Sequence, residues 1–290
     1  MSQQPQYPPC LRQALSGFNV KPTGNIEWDR AILDRCKRGQ QSSLSSFTKL
    51  SPVIDKMQRE VAKANAISYD LADPDNYKAH VELFIAIANN IVLAPQRRRF
   101  EIDDHNKQVL RFLMYYFNGC PLAEEVFPGR GYKLHKNILL QGDVGVGKTM
   151  LMQCFSEYLR RTGNPRAFFN VSVTQMVNYY TIHNNIDRFV YNEEGGSGFK
   201  INPVNLCLND IGVENRPFYG IDTLTIVNDF LHARNEIWTT SDVDRKCAHL
   251  TTNLTIEQLK HLFGSKDSYG RIIDRFKTYN IIPLTGQSRR

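Results

Sequence analysis

The chain has no stretch apolar enough to cross a bilayer. A span takes roughly 18 to 20 apolar residues, and the longest candidate, Val81 to Ala94, is interrupted by Glu82, Asn89 and Asn90. The opening Met1-Ser2-Gln3-Gln4-Pro5-Gln6 carries neither the basic flank nor the apolar core of a secretion signal, so a cytoplasmic protein with no membrane partner is expected. There is no Cys-x-x-Cys pair and no Cys/His spacing suited to zinc among Cys10, Cys36, Cys120, Cys154, Cys207 and Cys247, which leaves reduced structural thiols as the reading. No internal repeat is visible. No tail of one charge exists either: residues 1–135 carry 18 basic and 14 acidic side chains and residues 136–290 carry 18 and 15, together the net +7. That charge permits nucleic-acid binding without demonstrating it.

What is present is enough chain, 290 residues with 41% apolar, for a nucleotide-binding domain and a smaller region beside it. Residues 1–25 are rich in Gln, Pro, Ser and Gly and read as a disordered arm. Residues 26–102 carry helical spacing over Ile26–Arg38, Ser51–Ser68 and Tyr77–Leu93, closed by Pro95 and Arg97-Arg98-Arg99, and read as a helical accessory domain. A basic run of this kind is more often a solvated linker than a binding site.

From residue 103 onward short apolar strands alternate with amphipathic helices. Asp103 or Asp104 is placed to cap a helix through Val109, Leu110, Leu113 and Tyr116. Strands are expected over Asn137–Gln141, Arg166–Val171, Val204–Asn209, Lys246–Thr252 and Asn280–Leu284. Helices are expected after Lys148, from the capping box Ser172-x-x-Gln175, over Asp222–Trp238, from Thr255-x-x-Gln258 and over Ser268–Tyr279, with a mobile loop across Glu193–Asn205. Such alternation implies an α/β fold, a parallel sheet with helices on both faces.

Between the first strand and its helix stands Gly142-Asp143-Val144-Gly145-Val146-Gly147-Lys148-Thr149. The spacing Gly-x-x-x-x-Gly-Lys-Thr has a mechanical meaning. Glycines let backbone N–H groups curl around phosphate oxygens, and the following helix offers its positive N-terminus. Lys148 then reaches the β and γ phosphates of ATP, and Thr149 offers its hydroxyl to Mg²⁺. A triphosphatase also needs a carboxylate near the metal and a group that orients water, usually at the end of a neighbouring strand. Leu206-Cys207-Leu208-Asn209-Asp210-Ile211-Gly212 is the one apolar run after the loop that ends in an acid in this way.

The loop, then Asn209-Asp210-Ile211-Gly212, then Leu250-Thr251-Thr252-Asn253, then Tyr269-Gly270-Arg271-Ile272-Ile273-Asp274-Arg275-Phe276, then Gly286-Gln287-Ser288-Arg289-Arg290, resemble in their order the DnaC/IstB branch of AAA+ ATPases. That branch contains replicative helicase loaders and transposition helpers. The resemblance covers roughly residues 105–290. It implies an AAA+ ATPase domain over residues 103–290. With six residues after the last expected strand, the C-terminal helical lid of many AAA+ proteins is expected to be lacking, a truncation that DnaC-like members share.

The resemblance further implies Asn253 as a strand-end sensor of the γ-phosphate or the attacking water. It implies Arg275 as an arginine finger completing an adjacent subunit's site, and thus self-assembly, with Arg271 one helical turn before it. It places Asp210 at the water-activating position and Asn209, where relatives carry Asp, at the Mg²⁺-associated one. An amide brings no charge to the metal. ATP binding with slow hydrolysis is therefore expected, and Asn209→Asp is expected to raise turnover. The helix Thr174–Arg188, through Tyr179, Tyr180 and Arg188, is implied to meet single-stranded DNA, although Tyr180 also fits a buried face with Met176 and Val177. The implied partner is a replicative helicase, with residues 26–102 as the implied partner-docking domain. The alternatives are an IstB-like transposition helper on duplex DNA and a nucleotide-dependent scaffold with little hydrolysis.

Overall fold

The computed structural model describes residues 8–37, 70–192, 201–212, 222–240, 246–264 and 270–289. The helix expected over Ser51–Ser68 and the run Gly195–Gly198 lie outside them. The chain divides into two units, Met1–Lys63 and Ala64–Arg290.

In the first unit, helix α1 (Pro9–Ser16) begins at a proline, whose fixed φ suits the first helical turn. Asn25 then caps a second helix, α2 (residues 26–37), its Oδ1 accepting the N–H groups of Glu27 and Trp28 at 3.0 and 3.2 Å. Leu11 and Leu15 bury against Leu33. Residues 8–25, expected within an unstructured arm, thus carry a helix, because the period of Leu11 and Leu15 finds a partner in α2.

The second unit begins with α3 (Pro74–Ile87). Asp73 caps it by accepting the N–H groups of Asp75 and Asn76 at 2.8 and 3.3 Å. The helix runs through a π turn, Ala88–Val92, and a 3-10 turn, Ala94–Gln96, and stops where Arg97 takes a left-handed conformation. Then follow α4 (Lys107–Phe117), β1 (Asn137–Gln141), α5 (Lys148–Arg161), β2 (Phe169–Ser172), α6 (Val173–His183) and β3 (Leu206–Ile211). After these come α7 (Thr223–Thr239), β4 (Ala248–Thr252), α8 (Ile256–Gly264), the short α9 (Arg271–Arg275) and β5 (Tyr279–Pro283). Both predicted capping boxes form, Ser172 with Gln175 and Thr255 with Gln258. The last helix is shorter than predicted: after Arg275 the chain tightens into a 3-10 turn, and Tyr279 already belongs to the strand.

The five strands form one parallel sheet in the order β2-β3-β4-β1-β5. Its two faces follow the two-residue alternation of each strand. Ile138, Leu140, Cys207 and Ile282 enter a core with α3, α4 and α5, whereas Leu139, Leu206, Leu208 and Leu250 enter a core with α6, α7 and α8. The α/β fold expected from the alternation is the one observed.

The unit that holds the sheet also includes α3, ahead of the boundary expected at 102/103. Phe84 of α3 is fully buried, its ring 5.3 Å from Phe100 and 4.6 Å from Phe155 of α5, and His80 hydrogen-bonds the Tyr158 hydroxyl. An aromatic cluster shared in this way makes α3 a further layer of the sheet domain rather than part of a separate one. Among the described residues no helix is long and apolar enough to cross a membrane, and all six cysteines are free thiols.

Candidate nucleotide-binding site

Strand β1 delivers the loop Gly142–Gly147 to the edge of a cavity of about 430 Å³, and α5 starts directly beneath it. Two loop glycines are required by the segment that follows β5. A Cβ on Gly142 would collide with the Leu284 carbonyl, and one on Gly145, at φ +87°, with Ser288. Val146 is buried and anchors the loop, while Val144 stands 58% exposed at its tip.

Lys148 is buried, and its ammonium donates to the carbonyls of Gly142 and Asp143 at 2.6 and 2.8 Å and to Asn253 Oδ1 at 2.6 Å. Asn253 stands just past β4, next to β1 in the sheet, so the lysine and this amide meet although they are 105 positions apart. Thr149 Oγ1 lies 3.5 Å from Asp210 Oδ1. Lys148, Thr149, Asp210 and Asn253, along with Gly145 and Gly147, line the one cavity.

Asn209 does not line it. Its amide is buried between β2 and β3, donating to Asn170 Oδ1 at 3.2 Å and to the Val171 carbonyl at 3.4 Å, while its Oδ1 accepts from Thr251 at 3.3 Å. The sequence register is therefore corrected: Asp210, not Asn209, is the side chain beside Thr149. The physical reason is a bulge. Pairing of β3 with β4 shifts between Leu208 and Ile211, Asp210 takes φ +64°, and its N–H donates to the Thr251 hydroxyl at 2.9 Å. A residue in the left-handed region breaks the alternation and re-aims its side chain. Beneath it, burial pushes the Cys207 thiol well up and the Asp210 charge adds to this, so that thiol is inert.

Two cavity cations were given no role by sequence reasoning. Arg98, read as part of a solvated run, lines it, and so does Arg289. The Arg289 N–H donates to the Gly145 carbonyl at 2.9 Å, and its guanidinium pairs with Asp103. No local pattern signals Arg98, and Arg289 stands in the motif Gly286–Arg290, which by itself assigns it no role. Both are brought in by tertiary packing.

The two arginines of α9 lie elsewhere. Arg275, half-buried, and the exposed Arg271 line a second cavity with Asn235 and Trp238 of α7, and neither reaches the loop cavity of its own chain. On α6, Tyr179 stacks on His183 at 4.0 Å and Arg188 beyond it is exposed, whereas Tyr180 packs on the core of Met176 and Val177.

No protein-family model and no curated protein matches this sequence. Among solved structures the chain is similar to AMPPCP-bound DnaA from Aquifex aeolicus, with 17% identity and a TM-score of 0.37, over 64% of this chain and 48% of that one. It is also similar to DnaI, with 18% identity and a TM-score of 0.38, over 64% of this chain and 87% of that one. The chain thus spans about half the length of the matched DnaA chain.

Proposed function

We propose that this chain is an AAA+ ATPase that binds ATP with Mg²⁺ and serves as a DnaC-type loader of a replicative helicase onto single-stranded DNA. The observation that carries the nucleotide part is the convergence of Lys148, Thr149, Asp210 and Asn253 on one cavity. Three cations line that cavity, Arg98, Lys148 and Arg289, against one carboxylate, which suits a polyphosphate. In this reading Lys148 exchanges its carbonyl partners for phosphate oxygens, and Thr149 and Asp210 hold the metal. The metal supplies charge neutralisation at the phosphates. Asn253 orients water through its amide.

The lone carboxylate also supports slow turnover. With Asp210 occupied beside Thr149, no second acid lines the cavity among the described residues to take a proton from water. The proposal of slow hydrolysis thus rests on the missing second acid, and no longer on an amide at the metal. It favours, as a second reading, a nucleotide-controlled scaffold.

The replication part is supported by the ordered motifs and by Tyr179 of α6 and Arg188 in the turn after it, which offer a stacking ring and a cation. Self-assembly is supported by Arg275 lying away from its own loop cavity, as a finger acting on a neighbour must. The test is co-purification with the host's replicative helicase, with ATP analogue or ADP, on single- and double-stranded DNA. Nucleotide-dependent helicase capture is expected. Indifference to helicase with ATP-dependent filaments on duplex would replace loading with the transposition-helper reading.

A further inference from the structure

The segment Leu284–Arg289 is built onto the phosphate loop. The Leu284 N–H donates to the Gln141 carbonyl at 2.7 Å, Ser288 fills the space above Gly145, and the Arg289 N–H closes on the Gly145 carbonyl at 2.9 Å. The Arg289 side chain then passes Gly147 to reach Asp103, and a second guanidinium N–H approaches the Glu101 carbonyl at 3.5 Å. The guanidinium is therefore at once part of the cavity wall and paired with a carboxylate outside it.

Asp103 is made for a divided task. Its Oδ1 accepts the N–H groups of His105 and Asn106, both at 3.0 Å, and so holds the turn before α4, while its Oδ2 takes Arg289. Burial opposes the charge of Asp103, but the Asn106 N–H and Arg289 outweigh it and hold the carboxyl below its usual value. Its partner is thus a competed cation, available to a stronger anion that enters the cavity.

We propose that Arg289 is a phosphate-binding residue of this site and that Asp103 is the positioning residue that holds it when no polyphosphate is bound. The proposal rests on the nucleotide reading above. Entry of a polyphosphate costs the Arg289–Asp103 pair and gains a guanidinium–phosphate contact, whose forked geometry a lysine cannot reproduce. Because the same segment seals Gly142 and Gly145, the exchange reports occupancy to the turn before α4.

The test is fluorescence titration of the full chain with a fluorescent ATP analogue, comparing wild type, Lys148→Ala, Arg289→Ala, Arg289→Lys, Asp103→Asn and the Arg289→Ala/Asp103→Asn double variant. Arg289→Ala is expected to weaken binding about tenfold or more, with Arg289→Lys in between. Asp103→Asn keeps the Oδ1 acceptor and removes only the ion pair, so it is expected to tighten binding several-fold, and to have no such effect in the Arg289→Ala background. A merely structural strap predicts the opposite, that Asp103→Asn weakens binding, and equal effects of Asp103→Asn in both backgrounds would overturn the exchange. Failure of wild type to bind, or full binding by Lys148→Ala, would defeat the nucleotide reading itself. Wild-type binding that Lys148→Ala abolishes, with Arg289→Ala unchanged, would defeat this proposal alone.

Discussion

Asp210 Oδ1 stands 3.5 Å from Thr149 Oγ1, while its neighbour Asn209 is sealed inside the sheet. A single bulged residue with a left-handed backbone separates these two fates. Such a conformation costs on the order of 1–2 kcal/mol, less for Asp than for most residues, and persists only when the surroundings hold it. The Thr251 hydroxyl, which accepts the Asp210 N–H and donates to Asn209 Oδ1, supplies that hold.

The first prediction follows from this pair. Asp210→Asn should abolish Mg²⁺ enhancement of nucleotide binding with little loss of stability, because the side chain faces the cavity. Asn209→Asp should leave turnover unraised and destabilise the fold. The amide's donor bonds to Asn170 and Val171 would become carboxylate-to-carbonyl repulsions in a buried place, at roughly 2–4 kcal/mol. Urea unfolding and a phosphate-release assay on both variants decide it. A faster Asn209→Asp enzyme would restore the register read from sequence.

The second prediction concerns α3. Phe84→Ala should destabilise the second unit by about 3–5 kcal/mol, since the ring is enclosed by Phe100 and Phe155 and its loss leaves a cavity. By the same reasoning a fragment starting at residue 103 should be insoluble or molten, and one starting at residue 64 should unfold cooperatively. Circular dichroism and near-ultraviolet spectra of the two fragments distinguish these outcomes. A cooperative fragment from residue 103 would return α3 to a separate domain.

The loop, both capping boxes and the strand alternation were legible in the sequence because each is a local rule: two glycines, a lysine and a threonine at fixed spacing, a three-residue spacing, a period of two. What was not legible depends on contacts distant in sequence. Phe84 and Phe155 are 71 residues apart, and the helical period of α3 is the same whether it covers α5 or stands in a domain of its own. The roles of Asn209 and Asp210 were assigned from the motif order of the resembled family, and no pattern within β3 announces the bulge that turns Asp210 rather than Asn209 to the cavity. Arg98 and Arg289 look like surface cations until the turn at Arg97 and the segment after β5 bring them to one cavity.

The third prediction is a pH dependence. His249 is buried on β4 among Tyr116, Phe117 and Phe168, its Nδ1 accepting the Ile138 N–H at 3.1 Å. Burial first, then Arg166 and Arg234, push its pKa down to about 3 from an ordinary value near 6.5. A base with a depressed folded pKa binds its proton only on unfolding. Its contribution is therefore fully present above about pH 6.5 and is lost as pH falls from there toward 3, by up to about tenfold in the folding constant per pH unit. Urea midpoints at pH 7.5, 6 and 5 should fall accordingly, and His249→Gln should flatten the slope. An equal slope in the variant would remove His249 from the account.

The last prediction tests whether the catalytic unit is shared between copies. Arg275 is half-buried against α7 beside Asn235 and Trp238, so a change there risks the fold, and Arg275→Gln is the milder variant. A finger that stabilises charge on the transferred phosphoryl group is worth about 10³–10⁵ in rate, so Arg275→Gln should lose nearly all turnover while keeping its melting temperature and its affinity for ATP. Lys148→Ala should be equally inactive through loss of nucleotide. Mixing the two should recover activity, because Lys148→Ala subunits keep an intact Arg275 and Arg275→Gln subunits keep an intact loop. If Arg275 acts within its own chain, no mixed assembly contains a complete site, and the mixture stays as inactive as its parts.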